Sequence, residues 1–398
     1  MMTKLRKIKG GVCAPRGFVA AAAHAGIKAG NATRDDVAIV AGVDFCKAAA
    51  TFTTNKVQAA PVLLSKEYLS ARRCRAVILN SGNANACTGA AGMETARAMA
   101  AAAAAALGVA ENEVLVCSTG RIGVPLPIEK VRAAIPGLVA RLDVRSSTAA
   151  AGAIMTSDSV AKEIAFEFEN GDGRIRVGGI AKGAGMIDPN MATMLCVMTT
   201  DAALSKTEAR RALKLAVERS FNRITVDGDM STNDTVILLA SGVAGAVRDF
   251  SAFQDALDAA ALDLATKIVL DGEGVSRFIE VEVSGAASVK DARLAAEAVA
   301  NSQLVKCAWA GGDPNWGRIM DAAGYSGAKL NPDRVDIDYD GVAAVRGGMP
   351  APTLFARLQK VAARKKFKVS VNLNLGEKTY SVMTTDLTEA YVRFNLGE

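Results

Sequence analysis

Lys182-Gly183-Ala184-Gly185-Met186-Ile187-Asp188-Pro189-Asn190-Met191-Ala192-Thr193-Met194-Leu195-Cys196 is two kinds of chain joined at one residue. Its first half is loop chemistry: Gly183 and Gly185 admit positive φ, and Pro189 fixes φ and removes an N–H donor. Its second half, from Thr193 to Met198, is a continuous apolar run that reads as a buried strand. A hydroxyl residue therefore stands where a Gly/Pro-shaped loop enters a core strand. The plain interpretation is a turn opening into a strand, with Thr193 chosen for its β propensity. The rest of the chain decides between that and a chemical role.

The chain has 398 residues, too many for one ordinary core, and half of them are hydrophobic. The net charge is +6, with both signs interspersed and only short basic clusters such as Lys4 to Lys9 and Arg364-Lys365-Lys366. Without interleaved aromatics these are solvated faces, which argues against a nucleic-acid partner. The seven cysteines, Cys13, Cys46, Cys74, Cys87, Cys117, Cys196 and Cys307, are odd in number and scattered, with no C-x-x-C. That points to a reducing, cytoplasmic setting, and away from disulfides and zinc. The longest apolar run, Ala98 to Ala110, has 13 residues and reads as a helix ending at Gly108, too short for a bilayer. No signal peptide is read in the Ala-rich segment from Gly17 to Ile27, so no membrane is expected.

His24 is the only histidine, and no carboxylate lies near it in sequence. A Ser-His-Asp or Cys-His system would depend on it entirely, so an enzyme here needs another base.

Short strands and helices alternate. Strands are expected at Asp36 to Ala41, Ala76 to Asn80, Val114 to Cys117 and Asp234 to Ser241, and later at Phe278 to Ser284, Arg334 to Tyr339, Phe367 to Leu375 and Thr379 to Met383. Helices are expected at Glu94 to Leu107, Thr207 to Arg219, Ser251 to Leu270, Lys290 to Asn301 and Thr353 to Ala363. Asn170-Gly171-Asp172-Gly173 between two alternating runs is a hairpin signal. Asn80-Ser81-Gly82-Asn83-Ala84-Asn85-Ala86 reads equally as a plain polar loop or as a site loop, Ser118-Thr119-Gly120 as a turn, and Gly311 to Arg318 as another loop. Lys182 reads as a solvated loop cation and Glu273 as an acid just past a helix. The mixture defines an α/β protein with substantial sheet on both sides of Thr193.

A hydroxyl can be activated without histidine when it belongs to an N-terminal residue, because the α-amine of the same residue serves as base. Its pKa of about 7.7–8.0 suits neutral pH. An internal Thr193 gains that amine only if the bond before it is cut. Its own Oγ can attack the Ala192 carbonyl, and water can resolve the resulting ester.

The segment from Lys182 to Leu195 resembles the self-cleavage segment of the ornithine acetyltransferases (glutamate N-acetyltransferases) of arginine biosynthesis. Further stretches match in family order, among them Pro15-Arg16-Gly17-Phe18, Asn80 to Ala86, Ser118 to Gly123, Ala153 to Asp158, Arg219 to Asn222, Asp229 to Thr235, Asp271 to Gly274 and Gly312 to Arg318. The resemblance covers nearly the whole chain. It implies a layered α-β-β-α fold with large mixed sheets, like that of N-terminal-nucleophile enzymes. It also implies division at Ala192–Thr193 into an α chain (1–192) and a β chain (193–398), with a smaller C-terminal lobe from roughly residue 280 to 398.

By the same resemblance, Thr193 is the nucleophile and, once cut, the base. Thr119 and Gly120 form the oxyanion hole, while Thr156, Lys182, Thr193, Glu273 and Asn395 bind substrate. The implied reaction moves acetyl from N2-acetylornithine to glutamate, with no metal or cofactor, and leaves open acetyl-CoA as a second donor. The implied assembly is a heterotetramer of two α and two β chains. Family members continue past the Asn matched by Asn395 to a Tyr and a terminal hydroxyl pair that touches substrate. This chain reads Leu396-Gly397-Glu398 there, a departure that bears on affinity and substrate preference. Three other functions compete: a self-cleaved amidase or aminopeptidase, an acetyltransferase of a secondary pathway, and a non-catalytic scaffold.

Overall fold

The computed structural model describes residues 4–28, 33–71, 73–188 and 194–396. The chain forms two compact units. The first comprises Met1–Gly183, Asn190–Asn222 and Met230–Ile268, and the second Ala184–Pro189, Arg223–Asp229 and Val269–Glu398.

The first unit holds strands β1 (Arg6–Ile8), β2 (Phe18–Ala23), β3 (Val37–Phe52), β4 (Cys74–Asn83), β5 (Val114–Arg121), β6 (Lys162–Asn170), β7 (Gly173–Lys182), β8 (Leu195–Ala203) and β9 (Thr235–Ala246). Its helices are α1 (Ala60–Tyr68), α2 (Gly89–Leu107), α3 (Ile128–Ala140), α4 (Ser147–Ala153), α5 (Lys206–Arg219) and α6 (Phe250–Leu270). The strand order is β1-β6-β7-β8-β9-β3-β4-β5, with β2 also on β3.

Strand β3 belongs to two sheets. Val37 to Ala41 pair with both β2 and β4, and Lys47 to Phe52 pair with β9, with a break in register between Ala41 and Cys46. One buried apolar cluster draws from both sheets, with Ile180, Leu195, Val197, Ile237 and Leu239 from one and Ile39, Val77, Ile78 and Leu115 from the other. Each of these side chains contributes about 1.5–3 kcal/mol by leaving water. Helices α1 and α2 pack on β5, and α5 on β3 and β9. Gly179 of β7 leaves the space that Leu264 of α6 occupies. Helices thus flank paired sheets, the layered α-β-β-α arrangement of a mixed α/β protein.

Local signals explain several boundaries. Asn170 pairs with Gly173 across a two-residue turn, where Gly171 has φ 65°. Helix α2 stops at Gly108, whose φ of 68° is left-handed. Ser205 Oγ accepts from Glu208 N, and the Glu208 carboxylate accepts from Ser205 N, a capping box that starts α5.

Three expectations need correction. Asn80 to Asn83 are not loop but the end of β4, and Ser118 to Arg121 extend β5 beside them. Buried hydrogen bonds hold these polar residues in extended form. Lys182 is not a solvated loop cation; it ends β7 and is 2% exposed.

In the second unit the sheet order is β13-β12-β11-β14-β10-β15. The strands are β10 (Phe278–Ala286), β11 (Asp336–Tyr339), β12 (Val342–Arg346), β13 (Met349–Pro350), β14 (Lys366–Asn372) and β15 (Lys378–Thr385). The helices are α7 (Val289–Asn301), α8 (Gln303–Ala310), α9 (Trp316–Tyr325), α10 (Phe355–Ala362) and α11 (Glu389–Phe394). Helix α7 lies on β10 and β15, and in the core Phe367 stacks on Tyr339 and meets Trp309 edge-on. The loop expected at Gly311 to Arg318 is shorter than its composition suggests. Asn315 Oδ1 accepts from Arg318 N and caps α9, so only Gly311 to Asn315 separate two helices.

Candidate active site

The parallel pair β4–β5 places Ser81 beside Thr119 and Gly82 beside Gly120. A buried polar network fixes this strand end. Asn80 Nδ2 donates to Asn83 O at 2.9 Å, Ser118 Oγ to Asn80 Oδ1 at 2.6 Å, and Asn233 Nδ2 to Ser118 O at 2.8 Å. Gly120 has φ 133°, and a Cβ there would collide with the Gly82 and Asn83 backbone. Only glycine fits, so the backbone after the Thr119 hydroxyl is set by close approach.

Lys182 Nζ lies 3.4 Å from Thr119 Oγ1. Asp158, a residue not singled out in the sequence, organises what surrounds it. Asp158 Oδ1 accepts from Lys162 Nζ and from Gly183 N, each at 2.7 Å. Its Oδ2 accepts from Thr156 N at 3.0 Å and lies 4.0 Å from Lys182 Nζ. Burial by itself would raise the Asp158 pKa, but the charges of Lys182 and Lys162 and the Gly183 N–H outweigh it and hold it down at about 2. Thr156, Lys162, Lys182 and the start of the loop at Gly183 thus share one carboxylate. Two ammonium groups facing one carboxylate in a buried setting suit an anionic ligand.

Asp234, fully buried at the head of β9, accepts from Met194 N at 3.0 Å through Oδ1. Burial pushes its carboxyl well above the usual range, against the pull of that N–H and of Lys182. Ala192 and Thr193 lie outside the described residues.

In the second unit Glu273 N donates to Ala184 O at 3.0 Å, and the Glu273 carboxylate packs against Gly185 so closely that a Cβ at residue 185 would run into it. Asn395 Nδ2, at the end of α11, donates to Glu273 Oε2 at 3.2 Å. Asp227 accepts from Met186 N at 2.6 Å and Ile187 N at 2.8 Å, and Tyr391 OH donates to it at 3.2 Å. Asp188 accepts from Asn301 Nδ2. Burial first, then the charges of Glu297, Asp227 and Asp229, raise Asp188 to about 6 despite that bond.

The structure therefore brings Thr119, Gly120, Thr156 and Lys182 together in the first unit, and Glu273 with Asn395 in the second. Sequence reasoning missed Asp158, Lys162, Asp234, Asp227 and Tyr391. The available signal was an Asp at the head of the apolar run Thr235 to Ala240.

Thr119, the close-packed Gly120 and a buried ammonium define a site suited to acyl transfer. The model of the ArgJ family matches residues 19–397. An arginine biosynthesis bifunctional protein ArgJ from Symbiobacterium thermophilum is 47% identical over 394 residues, 98% of this chain and 98% of that protein. Its counterpart from Geobacter sulfurreducens is 49% identical over 387 residues, 96% of this chain and 98% of that one. A crystal structure of an ornithine acetyltransferase complexed with ornithine, from Mycobacterium tuberculosis, is 44% identical, covering 47% of this chain and 98% of that one with a TM-score of 0.43. The chain belongs to the ArgJ family. Among the described residues no helix is long and apolar enough to cross a membrane.

Proposed function

We propose that this chain cuts its own backbone between Ala192 and Thr193 and then moves acetyl from N2-acetylornithine to glutamate through an acetyl-Thr193 ester. The observation that carries the proposal is the buried meeting of Thr119 Oγ1 and Lys182 Nζ, 3.4 Å apart, in a chain whose relatives are named bifunctional arginine-biosynthesis enzymes.

Thr193 Oγ attacks the acetyl carbonyl while the α-amine of Thr193 takes the hydroxyl proton. The Thr119 hydroxyl and Gly120 N–H donate to the developing oxyanion. Lys182 pairs with a substrate carboxylate, and its positive charge would favour a neutral Thr193 amine. Glu273, held by Asn395, suits a substrate ammonium, and Thr156 binds substrate beside Asp158. The amine returns its proton to ornithine's nitrogen as the acyl C–N bond breaks. Glutamate's amine then attacks the ester, giving N-acetylglutamate and restoring Thr193. The ester keeps the acyl-transfer free energy, so the cycle needs no cofactor. Acetyl-CoA is the expected second donor, in keeping with the word bifunctional in the relatives' names. Two α and two β chains make the working assembly, in the cytoplasm, where seven free cysteines are stable.

Mass spectrometry of the purified protein should find two chains meeting at Ala192/Thr193, and brief exposure to acetylornithine should acetylate Thr193. One intact chain with full activity overturns the proposal.

A further inference from the structure

Lys28 is a cation set beside the strand end that carries Thr119 and Gly120. Its stem lies on Gly82 of β4: a Cβ at that glycine would come within 2.8 Å of Lys28 Cγ and 3.2 Å of Lys28 Cα and N. Gly82 is the register partner of Gly120. With φ 94° and no side chain, it leaves the strand end bare for the lysine stem. The turn that carries Lys28 is fixed. The buried Asp36 carboxylate accepts from Ala25 N at 2.7 Å, Ile27 N at 2.6 Å and Lys28 N at 3.4 Å. Lys130 Nζ, on α3, donates to Gly26 O at 3.1 Å and pins the same turn.

The ammonium at the end of this stem is lightly held. Among the described residues Lys28 Nζ makes one hydrogen bond, a long one of 3.4 Å to Asp35 O, and the side chain is half-buried. Burial first, then the charge of Arg34, lowers its pKa against the pull of Asp36 and Asp158, and Lys182 lowers it further. Its ammonium therefore stands close enough to Asp158 and Lys182 to feel both charges. The carboxylates it feels are committed elsewhere, Asp36 to backbone N–H groups and Asp158 to Lys162 and Gly183. An anion arriving at Lys28 would offset the cost of burying it.

We propose that Lys28 binds the side-chain carboxylate of the acceptor glutamate, an assignment that rests on the acetyl-transfer reading above. The two substrates share an α-carboxylate, which Lys182 serves. They differ at the far end of the side chain. The donor ends there in an ammonium, which Glu273 suits, and the acceptor ends in a carboxylate, which Glu273 repels. Glutamate therefore needs a cation that acetylornithine does not. Lys162 is fully buried and held by Asp158 Oδ1 at 2.7 Å and Val160 O at 3.3 Å. Arg34 and Arg121 are exposed, where water and salt screen their charges. Lys28 is half-buried, already positioned and only weakly engaged.

Steady-state kinetics of the processed enzyme test the assignment, because in a ping-pong cycle kcat/KM for each substrate reports its own half-reaction. Lys28→Gln should lose roughly 10–100-fold in kcat/KM for glutamate, the scale of one hydrogen bond to a charged group. Its kcat/KM for N2-acetylornithine should stay within about twofold of wild type. Glutamine supplies the matching neutral acceptor. Wild type should prefer glutamate to glutamine by a similar factor, Lys28→Gln should use the two alike, and Lys28→Arg should restore most of the preference. A glutamate kcat/KM within about threefold of wild type in Lys28→Gln overturns the assignment. An equal loss for both substrates also overturns it, since that marks a structural role. If Lys28→Gln does not fold, the wild type decides: a preference for glutamate that shrinks with added salt supports Lys28, and equal use of glutamate and glutamine refutes it. Wild type that consumes N2-acetylornithine without acetylating glutamate would instead overturn the acetyl-transfer reading itself, so the two failures are distinct.

Discussion

Replacing Asp158 by Asn should both destabilise the first unit and change its acid response. The carboxylate accepts four hydrogen bonds or ion contacts, from Lys162, Gly183, Thr156 and, at 4.0 Å, Lys182. Its fall from 3.8 to about 2 corresponds to about 2–3 kcal/mol in favour of the charged form. An amide cannot balance either ammonium, and its NH2 would face donors. Breaking one partner of a buried ion pair costs about 3–5 kcal/mol, and that term dominates here because Lys162 stays buried. At about 2–4 °C per kcal/mol for a unit of this size, the unfolding midpoint should fall by roughly 6–20 °C at pH 7. The folded pKa lies below the unfolded one, so the stabilisation is complete above about pH 4 and is lost as pH falls toward 2. The gap between wild type and Asp158→Asn should accordingly shrink in acid. Calorimetry of both proteins at pH 7 and near pH 3 measures it. A midpoint within about 2 °C of wild type at pH 7 refutes the claim that Asp158 balances this cluster.

Thr119→Ala should fold normally and lose roughly 100-fold in kcat with a small change in KM, because one oxyanion donor is removed; steady-state kinetics would expose a wild-type kcat. Gly185→Ala puts a methyl group against the Glu273 carboxylate and should raise the KM for the ammonium-bearing substrate more than it lowers kcat. Asp188 titrates in the opposite sense to Asp158. Its folded pKa of about 6 exceeds the ordinary 3.8, so stability falls as pH rises from about 4 through 6. Asp188→Asn should remove that loss, gaining about 1–2 kcal/mol at pH 8 once partial exposure is discounted, and denaturant titrations at pH 5 and 8 would compare the two.

Elements whose signals are local were legible from sequence. The Asn170-to-Gly173 hairpin, the Gly108 helix stop and the Ser205 cap each follow from a few adjacent residues. Asn80 to Asn83 misled because their partners are remote: Asn233 closes the network from far along the chain, which no turn propensity encodes. Strand β2, Phe18–Ala23, was hidden by its alanines, which favour helix but here lie between β3 and α4. The site showed the same division. Motifs singled out Thr119, Thr156, Lys182, Glu273 and Asn395, whereas Asp158, which accepts from Thr156 N and lies 4.0 Å from Lys182 Nζ, emerges only when the chain is folded. Asp158 reaches Gly183 from 25 residues away and Asp234 reaches Met194 from 40, distances at which sequence spacing says nothing about contact.

The order β1-β6-β7-β8-β9-β3 has a kinetic consequence for a chain cut before Thr193. Strands β8 and β9 would belong to one polypeptide, and β7 and β3 on either side of them to the other. The two pieces are interleaved within one sheet, so neither can leave without breaking two ladders of backbone hydrogen bonds and opening the core. Once denatured, however, the cut protein must find its partner by collision. Refolding of the two-chain form should therefore quicken with concentration, while uncut Thr193→Ala refolds at a rate independent of it. Processing would turn a folding reaction that the chain completes alone into an assembly reaction that runs efficiently only the first time, before the cut.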